Sequence, residues 1–238
     1  MSHSTHSHSD PHTDSGTKKI SPLLSKQLKP KYRVIALTGP QGSGKTTQLK
    51  LILDKIDAEF ASVGDILRSI LPYSDKPEHI HAREMMYSGV LIPDELTFEI
   101  LKDYFKKKQE NGETKEVLFF DGFPRTVLQT EHLYELARIY HGYDADLLPP
   151  IAIARMTLEH GHAKKRCLDR AESLQKAGKE ARVDDTDEDI SKRLGIYFDS
   201  VPHLNKAFEG KAHLHEFEGN REAHEVHADM LERLFHTE

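Results

Sequence analysis

One stretch constrains this chain more than any other: Gly39-Pro-Gln-Gly-Ser-Gly-Lys-Thr-Thr47, set directly after the apolar run Tyr32–Thr38. The run (Tyr-Arg-Val-Ile-Ala-Leu-Thr) reads as a central strand of a parallel sheet, covered on both faces. After the loop, Leu49, Leu51, Ile52, Leu53 and Ile56 keep helical spacing. Strand, glycine-rich turn and helix is the context in which G-x-x-x-x-G-K-[ST] cradles phosphate. Glycine lets the backbone turn sharply, so that several N–H groups converge on one anion. The following helix adds its positive N-terminal end. Gly42, Ser43, Gly44, Lys45, Thr46 and Thr47 are therefore the candidate donor-phosphate residues. Lys45 brings a cation to the outer phosphates, and Thr46 or Thr47 a hydroxyl near Mg²⁺. The loop implies a nucleotide, without saying what is done with it.

Composition narrows the rest by exclusion. The 238 residues suit one α/β domain with insertions, or two small domains. A net charge of −6 gives no global field for nucleic acid, so phosphate chemistry must rest on local arginines. The one cysteine, Cys167, excludes a disulfide framework and a four-cysteine zinc site within one chain. No apolar run approaches the ~18–20 residues of a membrane span. Residues 1–17 are polar, with no apolar segment of a secretory leader, and a cytoplasmic protein is expected. A disordered tail is expected over residues 1–30. Within it His3, His6, His8 and His12 either chelate a transition metal or are simply solvated. Ile20, Leu23, Leu24 and Leu28 could dock as a short helix.

Strands and helices then alternate to the end of the chain. Strands are expected at Phe60–Ser62, Glu116–Asp121, Pro149–Met156 and Ala212–Phe217. Helices are expected from Gly64, over His79–Tyr87, from Pro93 at a first helical position to Lys108, and over 127–141, 158–176, 187–208 and 222–235. This alternation argues an α/β fold with a central parallel sheet flanked by helices. Ligands in such sheets bind beyond the carboxyl ends of the strands. The glycine loop and Asp121-Gly-Phe-Pro-Arg-Thr126 both follow strands, so both should face one crevice.

Asp121, at a strand end, either caps a turn or holds Mg²⁺ through water. Arg68, Arg125, Arg166, Arg170, Arg182 and Arg193 form the candidate cationic set. Arg166 and Arg170 are four apart and share a helix face. Transfer of a phosphoryl group between two anions needs such a set, because catalysis there is mostly positioning and charge neutralisation. The paired histidines, 79/81, 160/162, 213/215 and 224/227, lack any metal-protease or zinc-finger context. No G-x-S-x-G element is present.

From Tyr32 to the C-terminus the chain resembles the adenylate kinases, nucleoside monophosphate kinases of the short-lid form. The resemblance rests on the loop with Gln48, Ser62-Val-Gly-Asp-Ile-Leu-Arg68, Gly89-Val-Leu-Ile-Pro-Asp-Glu-Leu96, and Asp121–Thr126 with Gln129. Arg166, Arg170, Arg182-Val-Asp-Asp185 and Arg193-Leu194 complete it. It implies a kinase domain over 31–238, with a monophosphate-binding flap at about 61–92 and a lid at about 171–185. It implies ATP and AMP as substrates, Mg²⁺ with ATP, no structural zinc, and a monomer. The family pattern puts Arg68 and Arg125 on the monophosphate, Arg182 and Arg193 on the transferring group, Arg166 against the donor adenine and Arg170 on its phosphates. Lys45, Arg125, Arg170, Arg182 and Arg193 are thus the expected catalytic residues. Val63, Val90, Leu91, Ile92, Gly122, Phe123, Pro124 and Gln129 line the monophosphate side, with Gln129 on the adenine edge. The region of Arg221 approaches the donor nucleotide.

The chain departs from this pattern in its polar tail and at three other points. Thr46 stands where adenylate kinases usually carry Gly. Val63 stands where they usually carry Thr, in contact with the AMP base, which leaves UMP or CMP open as acceptor. Eleven residues separate Arg170 from Arg182, more than the usual short lid, so the helix before it should extend through Glu172–Lys176. A regulator that binds nucleotide without catalysis is the remaining alternative.

Overall fold

The computed structural model describes residues 28–88, 90–144, 147, 149–178 and 186–237. The expectations for the first 27 residues, including the histidine-rich tail, lie outside the described residues. So do Gly89, Arg182 and residues 179–185 of the expected lid.

Five strands form one parallel sheet in the order β3-β4-β2-β5-β6: β2 (Val34–Thr38), β3 (Glu59–Ser62), β4 (Leu118–Asp121), β5 (Ile151–Thr157) and β6 (His213–Glu218). The central run is apolar at successive positions because the sheet is covered on both sides. Val34, Ala36, Leu118, Phe120, Ile151 and Ile153 enter one core. Their chain neighbours Ile35, Leu37, Phe119, Ala152 and Ala154 enter the other. The first core is closed by α2 (Val63–Ile70), α4 (Asp94–Glu110), α5 (Val127–His141) and the end of α7 (Asp187–Phe208). The second is closed by α1 (Lys45–Leu53) and α8 (Ala223–Leu234). A third, smaller cluster joins α6 (His160–Lys176) to α7 through Ala163, Cys167, Ile190 and Leu194. α6 extends to Lys176, as expected from the spacing of Arg170 and Arg182. α3 (Pro77–Tyr87) follows a 3-10 turn at Leu71–Tyr73.

Three details differ from the sequence expectation. Leu28–Pro30, read as the end of the tail, is a strand (β1) paired antiparallel with β7 (Phe235–Thr237). Phe235, read as the last residue of the closing helix, leaves it because its side chain is buried in the second core, against which Leu28 also packs. Pro93 is the N-cap of α4 and not its first helical residue.

Candidate active site

Strand register brings the predicted loops together. Leu37 of β2 pairs with Asp121 of β4, and Asp121 with Ser62 of β3. Three strand ends therefore lie in line, and the chain leaving each one enters the same crevice. After β2 comes the glycine loop. After β4 comes Gly122–Arg125, with a cis Phe123–Pro124 bond. After β3, Ser62 caps α2 by accepting from the Asp65 N–H (3.3 Å), which sets Val63 and Arg68 on the crevice wall.

The crevice is a cavity of about 550 Å³. It is lined by Gly42, Gly44, Lys45, Thr46, Thr47, Val63, Arg68, Val90, Leu91, Ile92, Asp121, Gly122, Phe123, Pro124, Arg125, Gln129, Arg166, Arg170 and Arg193. Ser43 is buried behind the loop, and Arg221 does not line the cavity. Arg221 turns onto α8 instead, pairing with Asp229 (3.1 Å) and Glu225 (3.8 Å). Thr97, Tyr197, Ser200 and Leu204 also line the cavity and were not expected. The α7 residues could have been found: Arg193, Tyr197, Ser200 and Leu204 recur every three or four positions, which is one helix face.

The loop is shaped by backbone contacts as well as by turning freedom. At Gly39, with φ at +141°, a Cβ would lie 2.6 Å from the Met156 carbonyl oxygen. Lys45 folds over the loop, donating to the carbonyls of Gly39 (2.8 Å) and Pro40 (2.9 Å). Burial pushes its pKa down to about 8; the Asp121 carboxylate works against this, while Arg125 and Arg170 add to it. The Arg166 guanidinium donates to the carbonyls of Gly219 (2.7 Å) and Gly42 (3.4 Å), tying the loop to the turn after β6.

The opposite wall is built on a polar network. Arg125 Nε donates to the Gly122 carbonyl (2.7 Å), and the Arg125 backbone N–H donates to Gln129 Oε1 (2.8 Å). Gln129 Nε2 donates to Asp94 Oδ1 (2.6 Å), and Thr126 Oγ1 to Asp94 Oδ2 (2.6 Å). Thr126 also caps α5, accepting from the Gln129 N–H (3.1 Å). Burial holds Arg125 below the ordinary guanidinium value; Asp121 opposes the shift and Arg193 and Arg68 reinforce it. Arg68 reaches Asp65 at 2.5 Å, an exposed pair of the kind that adds little stability.

Cations from α1, α2, α5's leading loop, α6 and α7 thus line one space, with the glycine loop on one side and the Gln129 amide on the other. The sequence model for adenylate kinase matches residues 37–212, three quarters of the chain and every wall of this cavity. The chain belongs to the adenylate kinase family. It is similar to an adenylate kinase of Cyanothece sp., 32 % identical, over 82 % of this chain and 92 % of the relative. It is 34 % identical to an adenylate kinase of Clostridium tetani, over 81 % and 94 %. It is 31 % identical to one of Azobacteroides pseudotrichonymphae, over 84 % and 96 %. As a family member the protein is a nucleotide-binding phosphotransferase of the nucleoside monophosphate kinase type.

The histidine pairs take no part in the cavity lining. His215 Nε2 and the Tyr32 hydroxyl lie 2.8 Å apart, and His213 packs on the Tyr32 ring. Among the described residues no cluster of three or more His, Cys, Asp or Glu is placed to hold a metal, and no helix is long and apolar enough to cross a membrane.

Proposed function

We propose that the protein transfers the γ-phosphoryl group of ATP to AMP, giving two ADP reversibly and with Mg²⁺, as a cytoplasmic monomer. The observation that carries this reading is the shared cavity. It has the loop with Lys45 on one wall and Arg125, Arg193 and Gln129 on the other, an arrangement that suits two nucleotides with their phosphates between. The loop amides and Lys45 hold the donor's outer phosphates, with Arg170. Arg68 and Arg125 orient the AMP phosphate. One of its oxygens attacks the γ-phosphorus while the bond to the β–γ bridging oxygen breaks. Arg193 and Arg182 balance the charge that spreads over the group in flight. No covalent enzyme intermediate is needed.

The Asp121 carboxylate and the Thr46 and Thr47 hydroxyls are hard oxygen donors on the same cavity wall, a set that suits Mg²⁺ with its waters. Asp121 would hold the ion through water, with Thr46 or Thr47 beside it, and the ion supplies charge neutralisation at the triphosphate. Residues 61–92 act as the monophosphate flap. Residues 171–185 act as a lid whose closure excludes water, so that the acceptor phosphate and not water is attacked.

One observation supports a pyrimidine monophosphate as the alternative acceptor: Val63 lines the cavity and lacks the hydroxyl that the threonine usual in adenylate kinases would bring to the AMP base. A panel of AMP, UMP, CMP and GMP assayed with Mg-ATP separates the readings. AMP turnover at least tenfold above the rest is the expected result. Fast UMP or CMP turnover beside poor AMP turnover overturns it, and nucleotide binding without ADP formation overturns catalysis altogether.

A further inference from the structure

Gln129 holds an amide whose two ends look alike in shape and opposite in hydrogen bonding. Which end faces which way is settled by its partners. The Arg125 N–H can only donate, so the atom 2.8 Å from it must be the carbonyl oxygen. An ionised Asp94 can only accept, so the atom 2.6 Å from it must be the amide nitrogen. Thr126 donates to the second Asp94 oxygen and so holds the carboxylate in place. Gln129 is buried, so turning its amide over would put a donor against a donor and an acceptor against an acceptor, out of reach of water. Asp94 itself does not line the cavity; Gln129 does.

The geometry points to Asp94 as a positioning residue that fixes the polarity of the Gln129 amide and thereby sets which purine monophosphate the site accepts. With one Nε2 hydrogen given to Asp94 and one Oε1 lone pair given to Arg125, Gln129 has one donor and one acceptor left. An adenine edge offers the complement: a 6-amino group that donates beside a ring nitrogen that accepts. Hypoxanthine carries a 6-oxo group in place of the amine. Wherever the Gln129 oxygen meets the 6-amino group, a 6-oxo group sets oxygen against oxygen, and only a reversed amide would relieve it. Asp94 forbids that reversal. A carboxamide at position 94 has one acceptor and one donor and can turn to suit either state of Gln129.

This inference rests on the AMP reading, and the test keeps the two apart. Steady-state kinetics with AMP and with IMP, at saturating Mg-ATP, are measured for wild type, Asp94→Asn, Gln129→Ala and the double variant. Melting temperatures are recorded alongside. Expected is an AMP-over-IMP preference that falls about tenfold or more in Asp94→Asn. The loss should appear chiefly in KM for the monophosphate with kcat nearly kept, since base recognition acts alike in ground and transition states. In the Gln129→Ala background, Asp94→Asn should change the preference no further. A carboxylate that only caps α4 would lower the melting temperature and leave the preference intact, and that result overturns the inference while AMP turnover stands. Failure of wild type to use AMP overturns the AMP reading and this inference with it; should Asp94→Asn fail to fold, ¹⁵N relaxation of the Gln129 side-chain amide in wild type decides. A rigid amide supports the positioning role, and a freely averaging one overturns it.

Discussion

Gly219 is where the smallest change should have a large and selective effect. It follows β6, with its N–H on the Thr157 carbonyl (2.8 Å) and its own carbonyl under Arg166 (2.7 Å). A Cβ added there would stand 2.6 Å from the Ser43 carbonyl oxygen and 3.0 Å from that of Thr157. Both obstacles are backbone, so no side chain can swing aside. Ordinary contact begins near 3.4 Å, so in Gly219→Ala the Ser43 carbonyl must retreat by about 0.8 Å. The peptide unit is rigid, and the other end of this one is the Gly44 N–H, one of the loop amides proposed to hold donor phosphate. Misplacement near 1 Å costs on the order of 100-fold in a positioned reaction, so kcat/KM for ATP should fall about 10- to 100-fold. KM for the monophosphate should stay within about twofold, because its wall is carried by other elements, and overpacking should cost about 1–3 kcal/mol of stability. Initial rates against ATP at saturating acceptor, and against acceptor at saturating ATP, with a melting curve, measure all three. Gly161→Ala is the control, since a Cβ there meets nothing within 4 Å. A Gly219→Ala enzyme that melts earlier but keeps its ATP kinetics would refute the reasoning.

Lys45→Met should lower transfer by about 10³-fold or more, as loss of a charge-stabilising group at a phosphoryl site does; full activity in that variant would remove the basis of the proposed function. The wild-type pH profile carries a second signature. Lys45 has a folded pKa of about 8 against 10.5 ordinarily. Between these values the unfolded chain holds more protons, so this residue makes stability rise with pH across that window. The difference in unfolding free energy between wild type and Lys45→Met, followed from pH 7 to 10, should show that slope. Tyr140→Phe removes the acceptor of the Lys115 N–H (2.7 Å) and should destabilise by about 1–2 kcal/mol in denaturant titration without altering kinetics. Phe235→Ala, at a side chain 1 % exposed beneath the β1–β7 pair, should cost about 3–5 kcal/mol in the same titration.

The glycine loop was legible because its requirement is local: strand, positive φ, helix, with the residue types written in one string. Asp121 and Arg125 were legible for the same reason, as residues just beyond an apolar run. The β1–β7 pair was not, since three residues at each end carry no periodicity and are held by a core that only the folded chain assembles. Gly219 gave no signal either. Its φ is unremarkable, and its need for hydrogen alone comes from Ser43, remote in sequence and brought close by the sheet order. Asp94 was visible as an acidic residue in the first turn of a helix, which is reason enough for an acid there. Its bond to Gln129 spans 35 positions and depends on how α4 and α5 pack, which spacing does not encode.

The electrostatics of the cavity connect these residues to one purpose. Lys45 and Arg125 both lie below their ordinary pKa values, burial being the first cause for each, and each is depressed further by neighbouring arginines. Asp121 is the one carboxylate among the charges that most strongly oppose either shift. Gathering these cations is therefore unfavourable in the free protein, and the rest of the fold bears it. A bound polyphosphate supplies the missing negative charge, so binding should restore both pKa values and stabilise the fold together. At a concentration of ATP one hundred times its dissociation constant, one-site linkage alone gives about 2.7 kcal/mol. Lys45→Met should then show a smaller ATP-dependent rise in melting temperature than wild type, while the free variant is no less stable near pH 7. If the free variant instead melts well below wild type, the hydrogen bonds from Lys45 to Gly39 and Pro40 outweigh its desolvation, and the cavity is not strained in the way its charges imply.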